Sequence, residues 1–349
     1  MRKVSFMDEK KLNQIAVKLS NPPKGILAAD ESTNTITKRF NLINTQSTFE
    51  NRRKYRELLF KTKNINQYIS GIILFDETIK QSTSDGIPFG EYLNQNDILV
   101  GIKVDKGAVS LKPEAIEKVT EGLDGLAERL KEYIELGAAF TKWRAIIDIN
   151  QDKDIPSDYL IDLNCENLAR YARIVQDSGM VPIVEPEIIM DGDHSIEKCY
   201  EVTSKTQNIL FKKLNSHSVS LKGILLKPNM VIAGNKYKNQ ASIEEVASMT
   251  LKCLKENVPS EVPGIVFLSG GQSNELATQH LNEMNKLSKN YTWSLSFSYG
   301  RALQQPSLSL WKGKDEEIDS SQNALYKRSK LNSMATLGTY SENLEKMEL

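Results

Sequence analysis

Charged side chains follow several short apolar runs of this sequence, in positions that suit chemistry better than core packing. The stretch 223–230, GILLKPNM, is typical of a fully buried strand with Lys227 at its C-terminal end, because Pro228 cannot continue a strand ladder. Taken alone, such a lysine is more often a surface residue whose stem lies along apolar groups. The chemical interpretation gains weight because Lys103 and Lys142 also stand near the ends of apolar runs.

Three lysines gathered at one edge of a fold favour carbonyl chemistry. Neighbouring cations and an apolar wall both disfavour the ammonium form and lower the pKa of a lysine, and a neutral amine attacks a carbonyl carbon. Lys227 is the predicted nucleophile because the uninterrupted run Gly-Ile-Leu-Leu before it should desolvate its stem the most. Lys103 and Lys142 follow less apolar residues, so we expect them to stay charged and to hold anionic oxygens or phosphate.

Carboxylates at the ends of two other apolar runs supply candidate proton carriers. Loss of water from a carbinolamine needs a proton donor and acceptor, and Glu185 or Glu187 could fill that role. An ion-paired carboxylate at the rim explains either glutamate equally well. Asp30 follows a run of small and apolar residues, and its spacing fits both a base acting on a substrate hydroxyl and the N-cap of the next helix.

Two loops rich in glycine and serine predict a phosphate site. They read SGGQS at 269–273 and SYGR at 298–301. Glycines let backbone N–H groups approach phosphate oxygens, serine hydroxyls donate, and Arg301 can pair bidentately. Either loop alone would be a common turn. A further polar cluster predicts a second phosphate, so that the substrate would carry one at each end; it comprises Ser32, Thr35, Lys38 and Arg39.

The elements that would position these residues alternate between apolar runs and helical patterns. The eight runs are 25–30, 69–75, 98–105, 138–146, 181–188, 223–230, 264–271 and 293–300. The patterns between and around them are 8–20, 31–39, 50–62, 113–136, 165–179, 196–216, 242–257 and 273–288.

This alternation predicts parallel strands joined by helices, and eight such units predict an α/β fold, a closed (β/α)8 TIM barrel. An open doubly wound sheet is the alternative, but no GxGxxG turn follows the first strand. In a barrel the C-terminal ends of all strands meet at one rim, so the charged residues should converge there.

The whole chain, 1–349, is predicted to be one barrel domain with an N-terminal helix. After Gly300 the pattern weakens, until a C-terminal helix from about residue 320 to 335. The tail, about 336–349, has no core of its own, and a frayed end is favoured over a mobile lid.

Composition excludes several classes of partner. Lys and Arg balance Asp and Glu at 45 each, so no overall field favours nucleic acid. No apolar run approaches the roughly 18 residues of a membrane span, and the start, MRKVSFMDEKK, lacks the apolar segment of a secretory signal. Three widely spaced cysteines suit a reducing cytoplasm, and three histidines lack zinc-site spacing. We therefore expect a soluble cytoplasmic protein with no metal, no nucleic acid partner and no membrane span.

The chain resembles the class I fructose-1,6-bisphosphate aldolases of the eukaryotic type from about residue 10 to 340. The motifs, in the family's order, are KGILAADES, ENRRKYRELLF, GIKVDKG, KWRAI, VPIVEPEI, LLKPNMV, FLSGGQS and FSYGRALQ. The resemblance implies reversible cleavage of fructose 1,6-bisphosphate to dihydroxyacetone phosphate and glyceraldehyde 3-phosphate, in glycolysis and gluconeogenesis, without a metal. It also implies a cytosolic homotetramer, and some members bind actin.

The resemblance further implies a role for each candidate residue. Lys227 would form the Schiff base with the C2 carbonyl, and Glu185 would be the acid and base of imine formation. Asp30 would deprotonate the C4 hydroxyl, and Lys142 would position and stabilise the substrate. The supporting residues would be Lys103, Arg144 and Glu187, with Ser269, Gly270, Gly271, Ser298, Gly300 and Arg301 on the C1 phosphate, and with Ser32, Thr35, Lys38 and Arg39 facing the C6 phosphate.

The sequence departs from the family pattern in two places. Asn34 and Thr35 stand where Gly-Ser is common, and the site should survive because Asn tolerates a left-handed backbone and Thr keeps the hydroxyl. Typical members end in a tyrosine that assists proton transfer, whereas this sequence ends in Glu348–Leu349 and its last tyrosine is Tyr340. We therefore expect slower protonation of the enamine and weaker preference for the bisphosphate over fructose 1-phosphate.

Two alternatives stay open at this point. One is a related lysine-dependent aldolase or transaldolase that prefers fructose 1-phosphate or sedoheptulose 1,7-bisphosphate. The other is a barrel that lost its chemistry and serves as a cytoskeletal adaptor. The presence of every expected chemical group favours an enzyme.

Overall fold

Eight parallel strands close into a barrel in the computed structural model, which describes residues 8–288 and 291–347. The expectations that concern the first seven residues and Glu348–Leu349 lie outside the described residues. Two further strands form a separate antiparallel hairpin. The strands are β1 Gly25–Ala29, β2 Ile69–Leu74, β3 Leu99–Lys103, β4 Gly107–Ser110, β5 Lys118–Glu121, β6 Ala138–Ile147, β7 Val181–Ile188, β8 Leu225–Leu226, β9 Gly264–Phe267 and β10 Ser294–Tyr299.

The order around the barrel is β1-β10-β9-β8-β7-β6-β3-β2, which returns to β1. This confirms the (β/α)8 TIM barrel. The helices are α1 Glu9–Ser20, α2 Thr33–Asn41, α3 Phe49–Phe60, α4 Asp76–Ile79, α5 Phe89–Gln95, α6 Leu126–Glu135, α7 Asp158–Asp177, α8 Ile196–Ser216, α9 Ile243–Asn257, α10 Asn274–Leu287, α11 Arg301–Trp311 and α12 Ile318–Thr336. Across 8–288 and 291–347, none of these helices combines the length and the apolar character of a membrane span.

The helix α1 closes the N-terminal end of the barrel. Its buried residues Leu12, Ala16 and Leu19 join one apolar cluster with the inward side chains of the strands, Phe140 and Ile183 among them. The other apolar cluster lies between the strands and the surrounding helices. Because apolar groups fill the barrel interior and its N-terminal end, the opposite rim is left for polar chemistry.

The predicted helix over 113–136 is wrong in its first half. In that region β4 pairs with β5, and Val119 lies opposite Val109. β-branched residues favour strands, and Gly122 and Gly125, with φ of +128° and +65°, adopt backbone conformations that a continuous helix excludes. The helix α6 therefore begins only after Gly125.

The strand predicted over 223–230 is much shorter than expected. Only Leu225 and Leu226 pair as strand residues, opposite Ile183 and Val184 of β7. The Lys227 N–H donates to the Val184 carbonyl at 2.8 Å, and the ladder stops at Pro228 because proline has no N–H. Lys227 is nonetheless delivered to the C-terminal end of its strand, as predicted.

The region after Gly300 is a helix and was missed from the sequence. The helix α11 begins at Arg301 and contains Pro306, a residue that disfavours helix interiors and hides the pattern. Its last residue, Trp311, stacks on Tyr55 of α3 with ring centroids 5.3 Å apart.

The fraying predicted for the tail does not hold for its described part, 337–347. Tyr340 is 5% exposed, and its hydroxyl donates to Glu345 Oε1 at 2.9 Å. The Arg328 guanidinium on α12 donates to the same oxygen at 2.5 Å, and the Lys327 ammonium donates to the Glu345 carbonyl at 2.6 Å. The tail is therefore attached to α12 through Glu345.

Replacing Glu345 should release this tail. Glu345→Ala removes the acceptor shared by Arg328 and Tyr340. Losing about 1–2 kcal/mol of hydrogen-bond free energy should raise the fraction of molecules whose tail is detached from α12 about tenfold. Trypsin cleavage after Lys346, followed by mass spectrometry, measures that population. Glu342→Ala is the matched control, since Glu342 accepts from Gln279 in an exposed hydrogen bond. Equal cleavage of the two variants would contradict the assignment.

Candidate active site

The C-terminal ends of the strands surround a cavity of about 910 Å³. Every predicted site residue lines it except Lys38, which is exposed, and Gly271, whose N–H donates to Met190 Sδ at 2.9 Å. The convergence of strand ends expected from the sequence therefore occurs. The predicted site residues that line the cavity are Asp30, Ser32, Thr35, Arg39, Lys103, Lys142, Arg144, Glu185, Glu187, Lys227, Ser269, Gly270, Ser298, Gly300 and Arg301.

Four buried charges form a row of alternating sign at the base of this cavity. The Lys142 Nζ lies 2.7 Å from Asp30 Oδ2 and 3.4 Å from Glu185 Oε2, and the Lys227 Nζ lies 3.1 Å from Glu185 Oε1. Each of the four residues is less than a tenth exposed. The sequence suggested cations as the neighbours of Lys227, whereas its ion-pair partner in the structure is the carboxylate of Glu185.

The pairings in this row decide which groups are charged. Burial opposes ionisation of Asp30, but Lys142, Lys227 and Lys103 overcome it and hold the pKa of Asp30 well below its usual value. The pKa of Glu185 is likewise lowered, since Lys227 and Lys142 outweigh its burial. Burial would lower the pKa of Lys142, yet Asp30 and Glu185 raise it, so Lys142 stays an ammonium ion.

The N-cap alternative for Asp30 is wrong. The side chain of Ser32 caps α2 by accepting from the Thr35 N–H at 3.4 Å, while the Asp30 carboxylate faces Lys142. Asp30 is thus available to a substrate in the cavity.

Glu187 and Lys103 each have an ionic partner at the rim. Arg144 Nε donates to Glu187 Oε2, and Lys103 Nζ donates to Asp105 Oδ1. Asp105 also accepts from the Arg144 N–H at 3.3 Å and so joins the two pairs. Glu187 is the ion-paired carboxylate that the sequence left possible, whereas Glu185 is the glutamate beside Lys227.

A second ionic network fixes the loop after β1 and was missed from the sequence. Glu31 accepts from Arg39 and lies 2.7 Å from Arg56 Nη2 on α3. The Gln304 amide on α11 donates to Glu31 Oε1 at 2.8 Å and to the Ala28 carbonyl at 2.6 Å. The only sequence signal for Glu31 was that it follows Asp30. Its partners Arg56 and Gln304 belong to other helices, α3 and α11, so the local sequence does not indicate these contacts.

The loops predicted to hold phosphate have free donors. Among the described residues, the Ser298 hydroxyl and Arg301 Nε are buried without a hydrogen-bond partner. Burial and then the nearby cation Arg39 lower the pKa of Arg301. A buried donor without an acceptor and two neighbouring guanidinium groups both destabilise the protein, and a bound anion would relieve both. The part of the cavity next to Ser298 and Arg301 therefore favours an anion.

The cavity also extends towards α4 and α6, where the sequence predicted no site residue. The Tyr133 hydroxyl donates to Asp76 Oδ1 at 2.8 Å, and the Lys80 Nζ lies 3.0 Å from both Asp76 and Glu132. Asp76 lies on α4, Glu132 and Tyr133 lie on α6, and Lys80 directly follows α4. None of them stands at the end of a strand, where the sequence predicted site residues.

Within 8–288 and 291–347 no three or more His, Cys, Asp or Glu side chains are grouped so that they could hold a metal ion. The polar groups that line the cavity include the buried Lys227 beside Glu185 and, at the end of β10 and the start of α11, the buried donors of Ser298 and Arg301. A barrel with a buried lysine at its C-terminal rim and phosphate-type loops beside it belongs to the class of lysine-dependent barrel enzymes that act on phosphorylated carbonyl compounds.

Comparison with known proteins specifies the family. Residues 11–348 match the family model of fructose-bisphosphate aldolase class-I. A probable fructose-bisphosphate aldolase class 1 of Xanthomonas campestris is 53% identical over 96% of this chain and 99% of its own length. Cytosolic fructose-bisphosphate aldolase 4 of Arabidopsis thaliana is 50% identical over 97% of this chain and 86% of its own.

A solved structure agrees with these relatives. Fructose-bisphosphate aldolase from Plasmodium falciparum, in complex with TRAP and a small-molecule inhibitor, superposes with a TM-score of 0.93 at 48% identity, covering 95% of this chain and 96% of that one. The chain belongs to the class I fructose-bisphosphate aldolase family. Enzymes of this family are lyases that work through a Schiff base and need no metal.

The Asp30–Lys142 contact should be measurable as a coupling energy. Lys142→Met leaves two buried carboxylates short of a cation and should cost about 3 kcal/mol of unfolding free energy. Combining it with Asp30→Asn should show a coupling of about 1–3 kcal/mol in urea unfolding. The exposed pair Lys54–Asp315, 2.8 Å apart, is the matched control and should couple by less than about 1 kcal/mol. A coupling no larger than in the control pair would contradict the buried contact.

Proposed function

We propose that Lys227 is the amine that attacks the C2 carbonyl of fructose 1,6-bisphosphate in this aldolase. The observation that carries the proposal is the 3.1 Å contact between the buried Lys227 Nζ and Glu185 Oε1 inside the cavity. Glu185 is ionised, and it can accept the proton that Lys227 must lose before attack. The same carboxyl can then give a proton to the carbinolamine hydroxyl, which leaves as water and yields the imine.

Asp30 is proposed as the base of the carbon–carbon cleavage. It is ionised at neutral pH and therefore has the form that accepts the C4 hydroxyl proton. The electrons of the C3–C4 bond move into the protonated imine, giving an enamine on Lys227 and releasing glyceraldehyde 3-phosphate. Protonation of the enamine at C3 and hydrolysis of the imine then release dihydroxyacetone phosphate. Lys142 stays positive beside both carboxylates and can stabilise the developing negative oxygen.

The two phosphates of the substrate are assigned to two different groups of residues that line the cavity. The free donors of Ser298 and Arg301 support a C1 phosphate site with Ser269, Gly270 and Gly300. The C6 phosphate is assigned to Ser32, Thr35 and Arg39, which also line the cavity. Lys38 and Gly271 do not line the cavity, so we give them no direct contact with phosphate.

The family relationship also supports proposals about the whole protein. We propose that the chain works as one domain, because α12 and the tail pack against the helices around the barrel. A cytoplasmic homotetramer and contact with actin rest on the family resemblance alone.

An intact set of catalytic groups favours the enzyme over the adaptor that the sequence left open.

Reductive trapping tests the nucleophile. Incubation with dihydroxyacetone phosphate and borohydride should give an adduct that peptide mass mapping locates at Lys227, and EDTA should not reduce its yield. Lys227→Met should abolish the adduct, while Lys222→Met, an exposed lysine just before the same strand, should keep it. Modification of Lys103 or Lys142 in place of Lys227 would overturn the assignment.

Two carboxylate variants should separate the proton transfers. Asp30→Asn should still trap an imine with fructose 1,6-bisphosphate but should cleave it about 10²- to 10⁴-fold more slowly, because the base for the C4 hydroxyl is gone. Glu185→Gln should slow imine formation itself. Trapping yield and single-turnover cleavage measure the two steps. If Asp30→Asn loses the imine and Glu185→Gln keeps it, the two roles are exchanged.

A further inference from the structure

A buried histidine outside the proposed catalytic row contacts one of the phosphate loops. His280 lies on α10 and is 3% exposed, and its Nδ1 is 2.6 Å from Gln272 Oε1. Gln272, which is 4% exposed, belongs to the SGGQS loop between β9 and α10. None of the proposed chemical steps uses either residue.

Gln272 connects the two arms of the proposed C1 phosphate site. Its side-chain amide donates to the Ser269 carbonyl at 3.0 Å, and its backbone N–H donates to the same carbonyl at 3.2 Å. Its own backbone carbonyl accepts from Arg301 Nη2 at 2.5 Å. Ser269 lies in the loop after β9 and Arg301 at the start of α11, so Gln272 links these two segments.

The direction of these hydrogen bonds defines the state of His280. Because the Gln272 amide nitrogen faces the Ser269 carbonyl, its Oε1 must face His280, and the hydrogen bond requires a proton on His280 Nδ1. Burial lowers the pKa of His280 to about 4, so the ring is neutral at neutral pH and donates from this one nitrogen. The interaction is therefore a fixed neutral hydrogen bond.

We propose that His280 is a positioning residue for the C1 phosphate, acting through Gln272 on Ser269 and Arg301. This proposal rests on the assignment of that phosphate to these loops. Without the histidine donor, Gln272 Oε1 would be buried and unpaired, and the side chain would have to turn away from Ser269 to find a new partner. The loop and Arg301 would then lose the common anchor that keeps their donors directed at the same phosphate.

The test compares two replacements of the ring. His280→Leu removes the donor, whereas His280→Asn places an N–H at the same number of bonds from the backbone as Nδ1. His280→Leu should raise KM for fructose 1,6-bisphosphate about five- to thirty-fold with kcat changed less than threefold, and His280→Asn should restore KM. Fructose 1-phosphate should show the same factor, because it carries the same C1 phosphate.

Calorimetric titration with inorganic phosphate keeps this test separate from catalysis. The dissociation constant should rise in His280→Leu and recover in His280→Asn whether or not Lys227 forms the imine. Borohydride trapping at Lys227 in each variant reports the proposed function independently. An adduct at Lys227 combined with unchanged phosphate binding would overturn only the positioning role.

Control variants separate positioning from general stability. Thr278→Val removes a buried hydroxyl from α10 that bonds to Arg328 and Asn332, so it should lower the melting temperature and leave KM within twofold. Gln272→Met removes the relay from its other end and should reproduce the KM change if His280→Leu does not fold. Equal KM values for the Leu and Asn variants, or a KM change in Thr278→Val as large as in His280→Leu, would contradict the proposal.

Discussion

The row of buried charges from Asp30 through Lys142 and Glu185 to Lys227 is the interaction on which the rest of the site depends. Each ion removed from water costs several kcal/mol, and that cost is offset only while every ion keeps a partner of opposite sign. The arrangement therefore demands a precise and rigid geometry of the four side chains. It also explains why Lys142 stays charged while the neighbouring carboxylates stay ionised.

Barrel closure supplies that rigidity. Lys142, Glu185 and Lys227 come from the neighbouring strands β6, β7 and β8, whereas Asp30 follows β1, which is separated from β6 by β2 and β3 in the ring. Closure of the sheet brings Asp30 to Lys142 across the mouth. The apolar interior and α1 fill the other end, so the charged rim is built on a close-packed base.

Much of the site followed from one rule, that charged residues after buried parallel strands meet at one rim. The rule placed Lys227 and Asp30 correctly although the strand before Lys227 has only two paired residues. It could not reach Glu31, because the contacts of Glu31 with Arg56 and Gln304 join segments far apart in the chain. A separate error came from the helical pattern over 113–136, where strand pairing and glycine backbone conformations produced the hairpin β4–β5 instead.

The sequence by itself predicted the barrel and a rim of lysines and carboxylates, since apolar runs that alternate with helical patterns favour parallel pairing and their ends meet at one rim. It also determined the family, through motifs in a fixed order. Only the tertiary structure decided which glutamate contacts Lys227, which one pairs with Arg144, and that His280 contacts Gln272 in the SGGQS loop. These choices depend on distances between side chains from different strands and helices, and such distances exist only after the barrel has closed.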